Sequence, residues 1–274
     1  MSIPLEDLFN DVIAKSMRGL GINDAALATL SGASVEDIAD AKAGKVDDRV
    51  LRKIAPHLQL GGLSLVAMAH NAWCPLLVSV PGLEQFNTPY HDMTVNSYLV
   101  WDAETKNAIA FDTGADASPM IDFIQEKELN LSLIFLTHTH ADHIADLAKL
   151  SANGAVTTFV NEEESCPGAT PFKLSETEAW ESGGLRIEPR STWGHSKGGI
   201  SYVVSGLKRP VVIVGDALFA SSMGGGMVSY TDALSTNRRE IFTLPNHTVV
   251  CPGHGPMTTI GEEKTHNPFY PEFK

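Results

Sequence analysis

The chain has 274 residues, of which 43% are hydrophobic, and a formal net charge of −13, so it is long enough for one large domain, or one of about 200 residues plus a small one. So acidic a surface repels nucleic acid and anionic lipid unless a local basic patch overrides it, and residues 1–70 already carry −2 and the remainder −11. No apolar run approaches the roughly 18 residues needed to cross a membrane, the opening MSIPLEDLFND has no basic segment of a secretory signal, and Cys74, Cys166 and Cys251 are too few and too widely spaced for a disulfide framework, which points to the cytoplasm.

Residues 1–70 read as helical. LEDLFNDVIAKSM places Leu5, Leu8, Val12 and Ile13 at helical spacing. DAALATLSG ends on a glycine, Ser34 and Asp37 make a capping box that opens SVEDIADAKAG, and a fourth segment runs from about Asp47 to Leu58. Short helices joined by tight turns predict a small bundle. The order from DAALATLSG to IAPHLQL resembles a phage-repressor-type helix-turn-helix. Its recognition helix would be SVEDIADAKA, with Glu36, Asp37 and Asp40 against Lys42 alone, a balance wrong for a phosphate backbone. Packing, dimer contacts or covering a site are the alternatives.

Residues 71–90, with three prolines and no clear period, read as a connector. From Thr94 the texture changes. VNSYLVW, a turn at DAETKN and AIAFDTG read as a β-hairpin, and SPMIDFIQEKEL as a helix capped by Ser118 with Pro119 at its first position. LSLIFLT is a continuous apolar run, the pattern of a strand buried on both faces. ADHIADLAKLSAN reads as a helix stopped by Gly154, and AVTTFV, LRIEP, ISYVVS, PVVIVGD and HTVVCPG as further strands. Residues 91–274 are thus expected to form one α/β domain of mixed sheets covered by helices.

The chemistry concentrates in FLTHTHADHI. His138, His140, Asp142 and His143 fall within six residues, directly after the apolar strand. Strand ends are where α/β folds place their sites, and residues two apart in an extended segment project to the same side. Imidazole and carboxylate together suit zinc, iron or manganese. WGHSKGG then places His195 in a glycine-flanked turn, VVIVGDALF places Asp216 at a strand end, and VVCPGHG places His254 at another. One ligand at each of several strand ends is the layout of a metal centre.

HTHADH, GHS, GDALF and PGHG match, in order, the motifs of the metallo-β-lactamase superfamily, over roughly residues 91–274. The tail PGHGPMTTIGEEKTHNPF resembles the glyoxalase II-like branch. The resemblance implies an αβ/βα sandwich, here preceded by the small N-terminal helical bundle. It implies one metal on His138, His140 and His195, a second on Asp142, His143 and His254, and Asp216 bridging them. Two divalent ions, zinc first with iron or manganese as alternatives, less the charges of Asp142, Asp216 and a bridging hydroxide, leave about +1, which attracts an anionic acyl substrate.

The implied reaction is hydrolysis of a thioester, ester or lactone, with Asp142 and Asp216 as the catalytic carboxylates. Asp216 stands where the true β-lactamases of the main zinc class carry cysteine in their second site, which argues against lactams. Asp112 in FDTG matches a recurrent aspartate of the superfamily; a plain turn aspartate explains it equally well. The loop ASSMGGGMVSYTD is expected to border the substrate pocket, with Met223 and Tyr230 as lining or packing residues. Lys264 and His266 are candidates for a substrate carboxylate, although a C-terminal clamp packing Phe269 and Tyr270 is the stronger reading. Alternatives are a mononuclear iron persulfide dioxygenase on His138, His195 and Asp216, and, from another class, a metabolite-sensing DNA-binding regulator. A small-molecule substrate, no membrane and no nucleic acid are expected; a homodimer is left open.

Overall fold

The computed structural model describes residues 3–152 and 156–274. Five helices open the chain: α1 (Phe9–Leu20), α2 (Asp24–Ser31), α3 (Val35–Lys42), α4 (Asp48–Ile54) and α5 (Gly62–Ala69). Several of their ends follow local sequence signals. Gly21 and Gly32 close α1 and α2 in the left-handed conformation, and Ser34 and Asp37 form the reciprocal capping box that opens α3.

Two six-stranded sheets follow. The first runs β1 (Leu83–Tyr90), β2 (Met93–Trp101), β3 (Asn107–Phe111), β4 (Asn130–Phe135), β5 (Thr157–Asn161) and β6 (Thr170–Phe172), in that spatial order. Its first two pairings are antiparallel and its last three parallel. The second contains β7 (Trp180–Ser182), β8 (Leu185–Ser191), β9 (Ile200–Ser205), β10 (Val211–Gly215), β11 (Val249–Pro252) and β12 (Thr258–Thr259), with only β10 and β11 parallel. Helices α6 (Ser118–Glu126), α7 (Ala141–Ile144), α8 (Leu147–Ser151), α9 (Tyr230–Thr236) and α10 (Ile260–His266) complete the α/β sandwich.

Alternation within the strands builds the layers. In β10, Val211 and Ile213 enter the core between the sheets with Phe111, Phe135 and Tyr202, while Val212 and Val214 face outward. Those outward valines pack with Val12, Ile13, Leu51 and Leu65 of the N-terminal helices in one cluster. The outer face of the first sheet is covered by Met120 and Ile124 of α6 and by Leu150 of α8. No helix among the described residues is long and apolar enough to cross a membrane.

Three local readings are corrected. The stretch expected as a connector contains β1, an edge strand paired along its length with β2. An edge strand needs its donors on one side only, so Pro89 is tolerated near its end. The helix expected from Ala141 onward is two short ones. The His143 carbonyl accepts from the Thr113 backbone N–H at 2.8 Å, and Asp146, with φ −117°, interrupts the helical path. The expected stop at Gly154 lies outside the described residues. Ser118 is the first helical residue rather than the cap of α6; Asp116 takes the capping part by accepting from the Ser118 N–H at 2.9 Å.

Candidate metal centre

Strand register assembles the site. Phe111 is level with Phe135, so Asp112 and the Thr137–His138 segment leave neighbouring strands of the first sheet together. In the second sheet Gly215 is level with Pro252, so Asp216 and His254 emerge side by side. His195 lies in the β8–β9 turn, and the Ile200 N–H donates to the Thr137 carbonyl at 2.9 Å, tying that turn to the end of β4.

All seven residues singled out from the sequence meet here, in two groups. His138, His140, His195 and Asp216 present ligand atoms within 4.8 Å of one another, as do Asp142, His143 and His254. In the first group, His140 Nδ1 lies 3.1 Å from His138 Nε2 and 3.0 Å from His195 Nε2. In the second, His254 Nε2 is 3.3 Å and His143 Nε2 3.7 Å from Asp142 Oδ2. Asp216 reaches both: its Oδ2 is 3.4 Å from His195 and 3.5 Å from His254, and its Oδ1 is 3.2 Å from His143.

Four rings are aimed by a partner on the opposite nitrogen. His143 Nδ1 pairs with Asp112 Oδ2 at 2.8 Å, His254 Nδ1 with the Thr94 carbonyl at 2.7 Å, His195 Nδ1 with the Gly225 carbonyl at 2.9 Å, and His138 Nδ1 with Thr137 Oγ1 at 3.0 Å. Each carbonyl or carboxylate accepts an Nδ1–H, which leaves Nε2 with a lone pair facing the cavity, the tautomer a cation requires. Of these partners only Asp112 was legible in the sequence. The Thr94 and Gly225 contributions are backbone oxygens, which no residue type announces.

The donor set fits divalent cations. His143 Nε2 and Asp216 Oδ1 are buried without a hydrogen-bond partner, a costly arrangement unless another species meets them. Gly253 keeps the cradle open: a Cβ there would lie 2.2 Å from Asp216 Oδ1 and 2.6 Å from His143 Cε1. The charge balance agrees. Burial works against a charged His143 ring, yet Asp216 and Asp112 beside it hold its pKa up at about 10. Burial likewise opposes the charged His254 ring, and Asp216 and Asp142 hold it at about 11. The Asp216 carboxyl, which burial alone would raise, is held well below its ordinary value by those two rings. His138 and His195 are pushed toward the neutral form, chiefly by burial. The carboxylates thus demand positive charge, and cations would supply it in place of protons.

The other candidates belong to neither ligand group. Lys264 Nζ donates to Asn246 at 2.9 Å, and His266 stacks on Trp73 with ring centroids 4.3 Å apart. Phe269 and Tyr270 are fully buried, as a C-terminal clamp requires. Met223 is buried, and its carbonyl accepts from Lys15 Nζ at 2.8 Å. Lys15 belongs to α1, and nothing in the local sequence marked it as a neighbour of this site.

The metallo-beta-lactamase superfamily model matches residues 92–254, a span that ends on the last of the seven candidate ligands. The chain belongs to that superfamily. Among similar members of the metallo-beta-lactamase superfamily, a probable metallo-hydrolase of Streptococcus pyogenes is 31% identical over 226 residues, 72% of this chain and 93% of that protein. The hydroxyacylglutathione hydrolase GloC of Haemophilus influenzae is 31% identical over 197 residues, 64% of this chain and 92% of its own. Among solved structures, ETHE1 from Myxococcus xanthus superposes with a TM-score of 0.59 at 27% identity, covering 69% of this chain and 85% of that one. The BLEG-1 B3 metallo-beta-lactamase gives a TM-score of 0.57 at 28% identity, covering 68% and 99%.

Proposed function

We propose that this member of the metallo-beta-lactamase superfamily is a binuclear metal-dependent hydrolase of thioesters, esters or lactones with anionic character, acting in the cytoplasm. The observation that carries the reading is the position of Asp216, whose carboxylate touches both ligand groups at once. His138, His140 and His195 would hold one ion and Asp142, His143 and His254 the other, with Asp216 shared. Zinc is the metal expected, with iron or manganese as alternatives. Held by these residues, two divalent cations would lower the pKa of water toward neutrality and would act as Lewis acids toward an acyl carbonyl.

The protein's own groups do the rest. Asp142 Oδ2, 3.3 Å from His254 and only partly exposed, can orient a nucleophile by accepting its hydrogen bond. The buried histidines hold their rings by fixed partners, so little reorganisation accompanies reaction. The likeness to GloC supports an acyl thioester as substrate. In this reading residues 91–274 carry the chemistry.

A second reading, a mononuclear iron persulfide dioxygenase, is favoured by the likeness to ETHE1. A DNA-binding regulator has less support. α3 exposes Glu36 and Asp37, and its one lysine, Lys42, pairs with Asp24 at 2.7 Å.

The test is metal analysis of protein purified without added metal, paired with turnover of S-lactoylglutathione, a lactone and a β-lactam. Two ions per chain are expected, with thioester turnover that Asp216→Asn lowers by about 1,000-fold. One iron per chain with oxygen uptake on glutathione persulfide would establish the dioxygenase instead. A β-lactam as the best substrate would overturn the acyl-thioester reading.

A further inference from the structure

The N-terminal helices place a cationic pocket against the loop that forms the His195 side of the site. Lys15 and Arg18 are three residues apart on α1 and so share a face. With Gly19 they form one wall of a pocket of about 280 Å³, whose other wall is Gly226, Met227 and Tyr230. Glycine sets the fit: a Cβ on Gly19 would lie 2.2 Å from the Tyr230 ring, and one on Gly226 would lie 2.3 Å from Tyr230 Cα. A glycine inside a helix is destabilising relative to alanine, and close packing is a common reason for having one there.

The pocket wall and the ligand group share one stretch of backbone. The Gly225 carbonyl holds His195 Nδ1 at 2.9 Å, and a Cβ on the same glycine would lie 3.1 Å from Arg18 Nη2. Gly224 packs so closely on the Asp216 carbonyl that a Cβ would fall 1.8 Å from its oxygen. The Gly224–Gly226 backbone therefore lies between the Arg18 guanidinium and His195 Nδ1.

The two cations are not equivalent. Lys15 Nζ is engaged by the buried Asp7 carboxylate and by the Met223 carbonyl, so its charge is already met. Arg18 is exposed and forms no ion pair with any described residue. It leaves the pocket net positive on a chain of net charge −13. A guanidinium presents a planar fork of donors that matches a carboxylate with two parallel hydrogen bonds.

We propose that Arg18, backed by Lys15, is an anion subsite that binds a carboxylate of the substrate remote from the scissile acyl bond. The N-terminal helical segment then selects carboxylate-bearing acyl compounds. This rests on the acyl-hydrolase reading for its kinetic form.

The experiment uses metal-loaded full-length protein, S-lactoylglutathione as the anionic thioester and S-lactoyl-N-acetylcysteamine as the neutral one. Arg18→Ala is expected to raise KM for the anionic thioester about tenfold, with kcat nearly unchanged and the neutral thioester unaffected. Arg18→Lys should recover part of the loss, because charge is restored and the fork is not. Equal losses on both thioesters, or no change on either, would overturn the subsite. Calorimetric binding of S-methylglutathione makes the same comparison without turnover, and Arg18→Ala should weaken it about tenfold. Arg18-dependent binding without thioester turnover would sink the hydrolase reading and support the subsite. Turnover with a KM indifferent to Arg18 would do the reverse.

Discussion

The sandwich and the N-terminal helices carry their information in different ways. In the sandwich, the chemistry is local: His138, His140, Asp142 and His143 share six residues, and strand register brings Asp216 and His254 to them. In the helices, the sequence marks several helix ends but not what the helices are for. Their meaning comes from the surface they cover. Val212, Val214, Leu218 and Val250 of the sandwich form one apolar cluster with Val12, Ile13, Leu51 and Leu65. A resemblance to a helix-turn-helix describes the helices' order, while their packing describes their use.

The most severe way to break that contrast is to remove the helices. A chain beginning at residue 71 would leave that face of β10 and β11 open to water, a large apolar patch on an otherwise charged protein. It is expected to be insoluble, or to lose near-UV circular dichroism and cooperative thermal unfolding. Full-length protein should unfold in a single transition. A soluble fragment with the full-length melting temperature and metal content would show that the helices are a separate appendage.

The motif-bearing half of the site was readable because metal binding requires particular side chains at particular spacings. What was not readable depends on partners distant in the chain. β1 hides behind Pro81 and Pro89, and only its pairing with β2 makes it a strand. The break between α7 and α8 follows from Thr113 capturing the His143 carbonyl. The orienting oxygens of Thr94 and Gly225 are backbone atoms. Lys15 and Arg18 sit on a helix whose apolar face was plain, but the loop opposite them lies some 200 residues further along the chain, as the 208-residue separation between Lys15 and Met223 shows.

The seam between the two regions offers a sharper test, because it is polar and buried. Asp7 bonds Ser222, Asn267 donates to the Ser222 carbonyl at 2.8 Å and to Glu263 at 2.8 Å, and Lys274 reaches Ser64 of α5. Burial raises the Glu263 carboxyl from its ordinary 4.5 to about 7, against hydrogen bonds from Asn267, Thr258 and the Ser221 N–H. A raised carboxyl favours the folded state in its protonated form. That contribution is complete below pH 4.5 and is lost as pH rises through about 7. At about 1.4 kcal/mol per unit, wild type should lose roughly 3 kcal/mol relative to Glu263→Gln across this window. Urea unfolding at pH 4.5 and pH 8 measures the difference. A gap between the two proteins that does not change with pH would place the titration elsewhere.

The smallest expected effect divides the metal centre itself. Asp112 touches the His143 half directly and the other half only through Thr137: its Oδ2 accepts from His143 Nδ1 and from Thr137 Oγ1, both at 2.8 Å, while Oδ1 accepts from the Thr137 N–H at 2.8 Å. Its φ of 55° lies in the left-handed region, which asparagine tolerates at least as readily as aspartate. Asp112→Asn therefore keeps the backbone and removes the negative charge behind the ring. Loss of such an outer carboxylate typically lowers metal affinity about 10- to 100-fold. The ion held by Asp142, His143 and His254 should leave first on dialysis against a weak chelator, and the one on His138, His140 and His195 should stay. Equal loss of both ions would mean that Thr137, which contacts both Asp112 and His138, transmits the change across the centre, and that its two halves act as one unit.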